Sequence, residues 1–385
     1  MKKNSLLGPL GLLIGTIIGV GMFGLPYVGY HAGLTALALS FAVAIGLIYV
    51  ISEAYGRVII GTQGKHRLPG YIEKYLGYNW KQVALLTVTV GIWGSILSYI
   101  LVGGEFLSRL FGPLIGGSTL FYSLAFFGLG AWLIHRDARM IARAEVILMS
   151  LFVVMTALFV IFGWPKIDWS ALPVFNSSHW LLPYGVMLFA LWGINVLPDV
   201  SELVGGRHRQ LRRITIISLL ITTVIYLIFT FVVAGISGSA VTGDALAGLI
   251  GLIAQKILLI GYLFGVIATF TSFIGLGLDL KKVFMYDYGH HAADSTLLTC
   301  LVPLALFLGG LNNFIGVISV VGGVILGLEG ILVLYMYVNF ARRQRRLLGG
   351  PLPKLVPIAK ASSVIFALGV IIGLLTPWLL QNVYG

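Results

Sequence analysis

Apolar residues run through this 385-residue chain in long blocks separated by short polar or basic connections. Each block is near or above the ~20 residues that cross about 30 Å of hydrocarbon as a helix. The pattern predicts an all-α integral membrane protein with eleven spans, at about 5–31, 33–57, 83–109, 117–135, 143–164, 180–203, 213–236, 246–279, 295–310, 313–340 and 361–382. The first block begins at Leu6 behind Met1-Lys2-Lys3 and has no small-residue cleavage site, so it reads as a retained span. The connection at about 58–82 mixes glycines and charges with Tyr71, Tyr75, Tyr78 and Trp80, which suits a short interfacial amphipathic helix. The connection from Trp164 to Trp180 holds Pro165 and Pro173 and falls between the fifth and sixth spans. It marks the joint of a five-plus-five repeat within one membrane domain, 1–385: a first unit over 5–164, a second over 180–340, and an extra span at 361–382.

Two of the blocks are interrupted in the same way. Gly21-Met22-Phe23-Gly24-Leu25-Pro26-Tyr27-Val28 lies in the first span and Gly193-Ile194-Asn195-Val196-Leu197-Pro198-Asp199-Val200 in the sixth, with Gly, Leu, Pro and Val at matching places. Gly and Pro interrupt the helical hydrogen-bond ladder, and inside a bilayer the freed amides and carbonyls are tolerated only where they line a cavity. Span one and span six enter from opposite sides, so the two broken helices run in opposite directions. Matched breaks of this kind point to a substrate site near the midplane of a secondary transporter.

Composition agrees with the block pattern. The chain is 58% hydrophobic and 10% charged, with a mean hydropathy of +1.00. Its net charge of +12 raises the question of an acidic or nucleic-acid partner. The distribution of that charge excludes nucleic acid: all but Arg109, Lys166 and Lys256 of the 25 Lys and Arg fall at one side of the predicted spans. The positive-inside rule then places the protein in the cell membrane as a multi-pass chain, N-terminus cytoplasmic and C-terminus outside. Cys300, the single cysteine, lies in an apolar run and leaves neither a disulfide framework nor a cysteine metal site. No Walker loop occurs, so nothing supports ATP-driven transport, and no cofactor is expected.

The breaks also supply chemistry. Gly15-Thr16-Ile17-Ile18-Gly19-Val20-Gly21-Met22 concentrates glycines at the start of a half-helix, where bare amides carry partial positive charge. The amides around Gly19, Val20 and Gly21 suit a substrate carboxylate. In Phe189-Ala190-Leu191-Trp192-Gly193 the carbonyls that end the outer half-helix suit an ammonium group. Separated anion and cation ends fit a zwitterionic amino acid. For its side chain, span three offers Trp93, Ser95, Ile96 and Tyr99 and span six offers Phe189 and Trp192.

The stretch Gly15 to Pro26 closely resembles the first span of the amino acid/auxin permease superfamily, which includes the bacterial tryptophan/tyrosine permeases. Phe189-Ala190-Leu191-Trp192-Gly193-Ile194 with Leu197-Pro198-Asp199 resembles that superfamily's sixth span, though it departs from the aromatic permeases. Ala268-Thr269-Phe270-Thr271-Ser272-Phe273-Ile274-Gly275 resembles the eighth. The likeness covers essentially the whole chain. It implies the LeuT-type fold of the wider APC superfamily, with broken helices one and six. It also implies cation-coupled symport of neutral amino acids by alternating access, aromatic ones first. The substrate-binding set is then Gly19, Val20, Gly21, Met22, Phe189, Ala190, Trp192, Gly193, Trp93 and Tyr99.

Two coupling ions are open. By the resemblance, Thr271 and Ser272 face the first break, and with carbonyls of Gly15, Ile18 and Ala268 they would hold sodium. Glu329 lies near the middle of span ten with no basic residue three or four positions away. A carboxyl buried alone tends to stay protonated, which suits a proton carrier. Glu53 and Glu105 each have an arginine four residues on and are expected to pair with it. A sensor using the same site without turnover, or a channel, are the rival classes; the sequence does not fix an oligomeric state.

Overall fold

The computed structural model describes residues 6–64, 66–137, 141–348 and 351–384, and the side chains of these except 141–150, 171 and 376–384. Within those residues the elements are helical, without strands. Span one is two helices, α1 (Leu7–Ile17) and α2 (Gly21–Ala32), bent by 55° at the break. Then come α3 (Leu34–Gly61), α4 (Leu68–Leu76), α5 (Tyr78–Ile115), α6 (Thr119–His135) and α7 (Ile141–Gly163). Span six is again two pieces, α8 (Pro183–Leu191) and α9 (Leu197–Leu203). After it follow α10 (His208–Ser237), α11 (Gln255–Tyr286), α12 (Ala292–Leu308), α13 (Phe314–Val320), α14 (Gly327–Leu348) and α15 (Leu355–Tyr384). Seven helices are long and apolar enough to cross a membrane; the bent pair and three shorter apolar helices complete the eleven expected spans.

The chain breaks where its residues least favour helix. Gly19, Val20 and Gly21 follow the β-branched run Thr16-Ile17-Ile18, a series costing roughly 0.5–1 kcal/mol per residue against alanine. α1 stops as Ile18 turns to an extended conformation, ψ 93°, and α8 stops in the same way at Trp192, ψ 112°. A 3₁₀ turn over Ile194–Val196 follows the second break, and Pro198 then sits in the first turn of α9, where its missing N–H costs nothing. In space α2 packs on α8 and α1 on α9, so the broken spans are antiparallel neighbours. Spans two and seven (α3, α10) and spans three and eight (α5, α11) also pack in pairs.

Span ten carries a π-helical segment, Val321–Leu326, between α13 and α14. Its Gly322 meets the Gly185 backbone of α8 so closely that a Cβ on Gly322 has no room, and a Cβ on Gly185 would meet the Ser319 backbone of α13. The Glu53–Arg57 and Glu105–Arg109 pairs form as expected, each at 2.8 Å. His208 at the start of α10 adds a contact of 3.2 Å to Glu53.

Two segments differ most from the hydropathy pattern. Span eight does not start at 246: α11 begins at Gln255. The residues before it form an irregular connection, because Asp244 caps the Ala247 amide and Ala245 and Gly251 take φ of 63° and 80°. The helix expected in 58–82 exists as α4. It buries Leu68, Pro69, Tyr71 and Ile72 against α5 and α14, so it is docked on the bundle, not laid free on a lipid surface.

Candidate functional site

A cavity of about 390 Å³ lies at the two breaks, walled by α1, α2, α5, α8, α9, α11 and α14. From the first break Gly15, Thr16, Ile17, Gly19, Val20 and Gly21 reach it, from span three Ser95 and Tyr99, and from span six Phe189, Trp192, Asn195 and Asp199. Span eight adds Thr271, Ser272, Gly275, Asp279 and Lys282, and span ten adds Glu329.

The backbone at the first break divides into used and unused amides. Met22 N–H donates to the Gly19 carbonyl at 3.3 Å and Phe23 N–H to the Val20 carbonyl at 3.1 Å. The amides of Val20 and Gly21 make no such turn bond across the break, so they are the donors available to an anion, while the Gly19 amide lies on the Tyr226 hydroxyl. Directly over Gly19 stand the Tyr99 hydroxyl and Ser272 Oγ, 3.7 Å and 3.9 Å from where a Cβ would be, hydrogen-bonded to each other. Tyr99, expected to meet the substrate's side chain, therefore stands over the first break.

Against the first break, α8 ends. Trp192 N–H caps the Phe189 carbonyl at 3.4 Å, and the Ala190 carbonyl lies 3.3 Å from the hydroxyl of Tyr226 on α10. Trp192 Nε1 and Glu329 Oε1 are buried without a hydrogen-bond partner among the described residues. An unpartnered buried polar atom is costly, and both side chains border the space a ligand would enter.

The cavity runs toward the Lys/Arg-rich end of the bundle. Arg67 and Asp199 form an ion pair of 3.1 Å at its mouth, with side chains 44% and 45% exposed, and Asp279 and Lys282 lie beside them. On α2, past the break, Phe23 is buried outside the cavity wall. That ring packs edge-on against Phe106 at 4.9 Å and Phe229 at 6.2 Å, and tilted against Phe264 at 6.5 Å; all four are buried.

Residues 2–376 match the profile of the tryptophan/tyrosine permease family. The chain belongs to the tryptophan/tyrosine permease family. No curated protein sequence matches it. Among solved structures, MhsT in complex with L-phenylalanine superposes with a TM-score of 0.69 at 18% identity, covering 95% of this chain and 98% of that one. Mhp1, a nucleobase-cation-symport-1 family transporter in a closed conformation with bromovinylhydantoin bound, gives 0.65 at 11% identity, covering 98% and 93%. At these identities the likeness shows the fold. It is the LeuT-type fold, the chain is a transporter, and it is a multi-pass membrane protein.

Several expected permease site residues stand elsewhere. Met22 is fully buried off the cavity with its amide already used, and Gly193 packs on α1, where a Cβ would meet Ile17 at 2.7 Å and Leu13 at 3.1 Å. Trp93 turns away from the site: its indole N–H donates to the Leu298 carbonyl of span nine at 3.1 Å. Ala190 does not border the cavity and packs on Gly21. For the sodium set, Gly15, Thr271 and Ser272 border the cavity and Ile18 and Ala268 do not. Thr271 Oγ1 donates to the Ile267 and Ala268 carbonyls of its own helix at 3.0 Å and 3.1 Å, leaving only lone pairs for a cation. Asn195, Arg67 and Tyr226 were not expected at the site. The first lies within the second break and was legible there; the other two come from a connection and a distant span.

Proposed function

We propose that this transporter carries neutral amino acids, aromatic ones first, by alternating access coupled to a cation. The observation that carries the reading is the pairing of unused amides at Val20 and Gly21 with the carbonyl end of α8 at one cavity. That arrangement binds an anion at one end and a cation at the other, as a zwitterion requires. L-phenylalanine bound in the structurally similar MhsT supports the substrate class. Phe189 and Trp192 at the cavity wall are apolar partners for an aromatic side chain.

For the coupling ion we favour protons over sodium. Glu329 is 2% exposed and borders the cavity with an unpartnered carboxyl oxygen, which puts a proton-carrying group where water or substrate entering the cavity can reach it. In the cell the Lys/Arg-rich end would face the cytoplasm, which makes this an inward-facing state with the Phe23 cluster as the closed outer barrier.

The test is uptake of labelled L-phenylalanine and L-tryptophan by proteoliposomes. Uptake above empty vesicles, competed by free neutral amino acids but not by their carboxyl esters, is expected. Equal competition by the esters would refute carboxylate recognition at the first break. Specific binding without any uptake under an ion gradient would point to a sensor.

A further inference from the structure

Ile17 is the last residue of α1 and Ala190 the next to last of α8. A helix leaves its final carbonyls without an internal partner, and they form its negative end. At the two breaks these orphan carbonyls converge on one side chain. Tyr226, on α10 and fully buried, donates its hydroxyl to the Ile17 carbonyl at 2.8 Å and lies 3.3 Å from that of Ala190. A phenol has one proton, so it serves one carbonyl at a time, and the distances put that bond on Ile17. The ring is held from behind by Phe152, edge to face at 6.2 Å.

We propose that Tyr226 is the positioning residue for the cationic end of the site, the end that takes the substrate's ammonium group. The inference rests on the amino-acid reading above. A peptide plane at a broken helix end has no ladder bond to fix it and can rotate. A hydrogen bond from a rigid buried ring removes that freedom. Each carbonyl oxygen has two lone pairs, so the donor orients the Ile17 oxygen and leaves it able to accept from a ligand, beside that of Ala190. The same hydroxyl ties the first break to the second, which fixes the spacing of the two oxygens.

The experiment separates positioning from packing by using ligands that differ only in the ammonium group. Dissociation constants are measured on the purified full chain for L-phenylalanine and 3-phenylpropionate, and for L-tryptophan and indole-3-propionate. In the parent each amino acid binds more tightly than its desamino partner. Tyr226→Phe keeps the ring and its packing, and it should lower that preference about tenfold, the scale of one hydrogen bond, through weaker amino-acid binding alone. Weakening of both ligands alike, with the ratio unmoved, would overturn the inference and leave the amino-acid reading standing. A parent that does not distinguish the two ligands would overturn both. Should Tyr226→Phe not fold, 3,5-difluorotyrosine at 226 keeps the volume and strengthens the donor; it should raise the ratio, and an unchanged ratio would overturn the proposal.

Discussion

Gly19 and Gly21 look equivalent in the sequence, and the structure makes them opposite tests of the site. A Cβ on Gly19 would stand 3.7 Å from the Tyr99 hydroxyl and 3.9 Å from Ser272 Oγ, ordinary contact distances, so Gly19→Ala should fold as the parent does. The added methyl fills the space in front of the unused amides, which an anion must approach to about 2.9 Å. A hydrogen bond to a charged group is worth about 1.5–3 kcal/mol. Losing one weakens binding by about 10- to 150-fold. A Cβ on Gly21 would instead lie 2.7 Å from Ala190 Cα and 2.9 Å from Phe189 Cδ1, forcing the two broken helices apart. Overpacking of that kind costs about 1–3 kcal/mol, so Gly21→Ala should lower the thermal midpoint as well as binding. Equilibrium binding of labelled substrate to purified protein, paired with a thermal melt, reads both. Gly19→Ala binding like the parent would refute the amide site. A Gly19→Ala protein as destabilised as Gly21→Ala would refute the steric argument itself.

For orientation, in a background with Cys300 replaced, cysteine at Ser177 should react with an impermeant thiol reagent on intact cells and cysteine at Gln344 should not. The opposite labelling would invert the topology. For coupling, an inward pH gradient without sodium should drive uptake, and Glu329→Gln should weaken that drive more than Thr271→Ala does. Uptake that demands sodium, ignores the pH gradient and collapses in Thr271→Ala with Ser272→Ala would move the coupling site to span eight. The Arg67–Asp199 pair is half-exposed, and such pairs are worth about 0.2–1 kcal/mol. Asp199→Asn should therefore change transport by less than about fivefold, and a loss beyond tenfold would show that the pair holds the inner mouth closed in another state.

The span pattern, the two breaks and the repeat were legible in the sequence because they depend on local properties. In hydrocarbon each span must satisfy its own backbone, so every crossing needs a long apolar block; the first break falls at Ile18–Val20, just ahead of Gly21, with Pro26 inside α2, and the second at Trp192–Val196. Which way each helix faces was not legible. A helix that is apolar all round carries no periodic face, so Trp93 and Tyr99, six residues apart on α5, gave the same signal. Packing turned one to span nine and the other over Gly19. The same holds for Met22, whose amide was taken by the turn it helps to form. The start of α11 was hidden because hydropathy does not see an Asp244 cap or a positive φ at Gly251. Tyr226 was the least legible of all. It stands in span seven, far in sequence from both breaks, and its place follows only from three helices meeting at one point. Local chemistry wrote the helices and their interruptions, while long-range packing chose which atoms face the ligand.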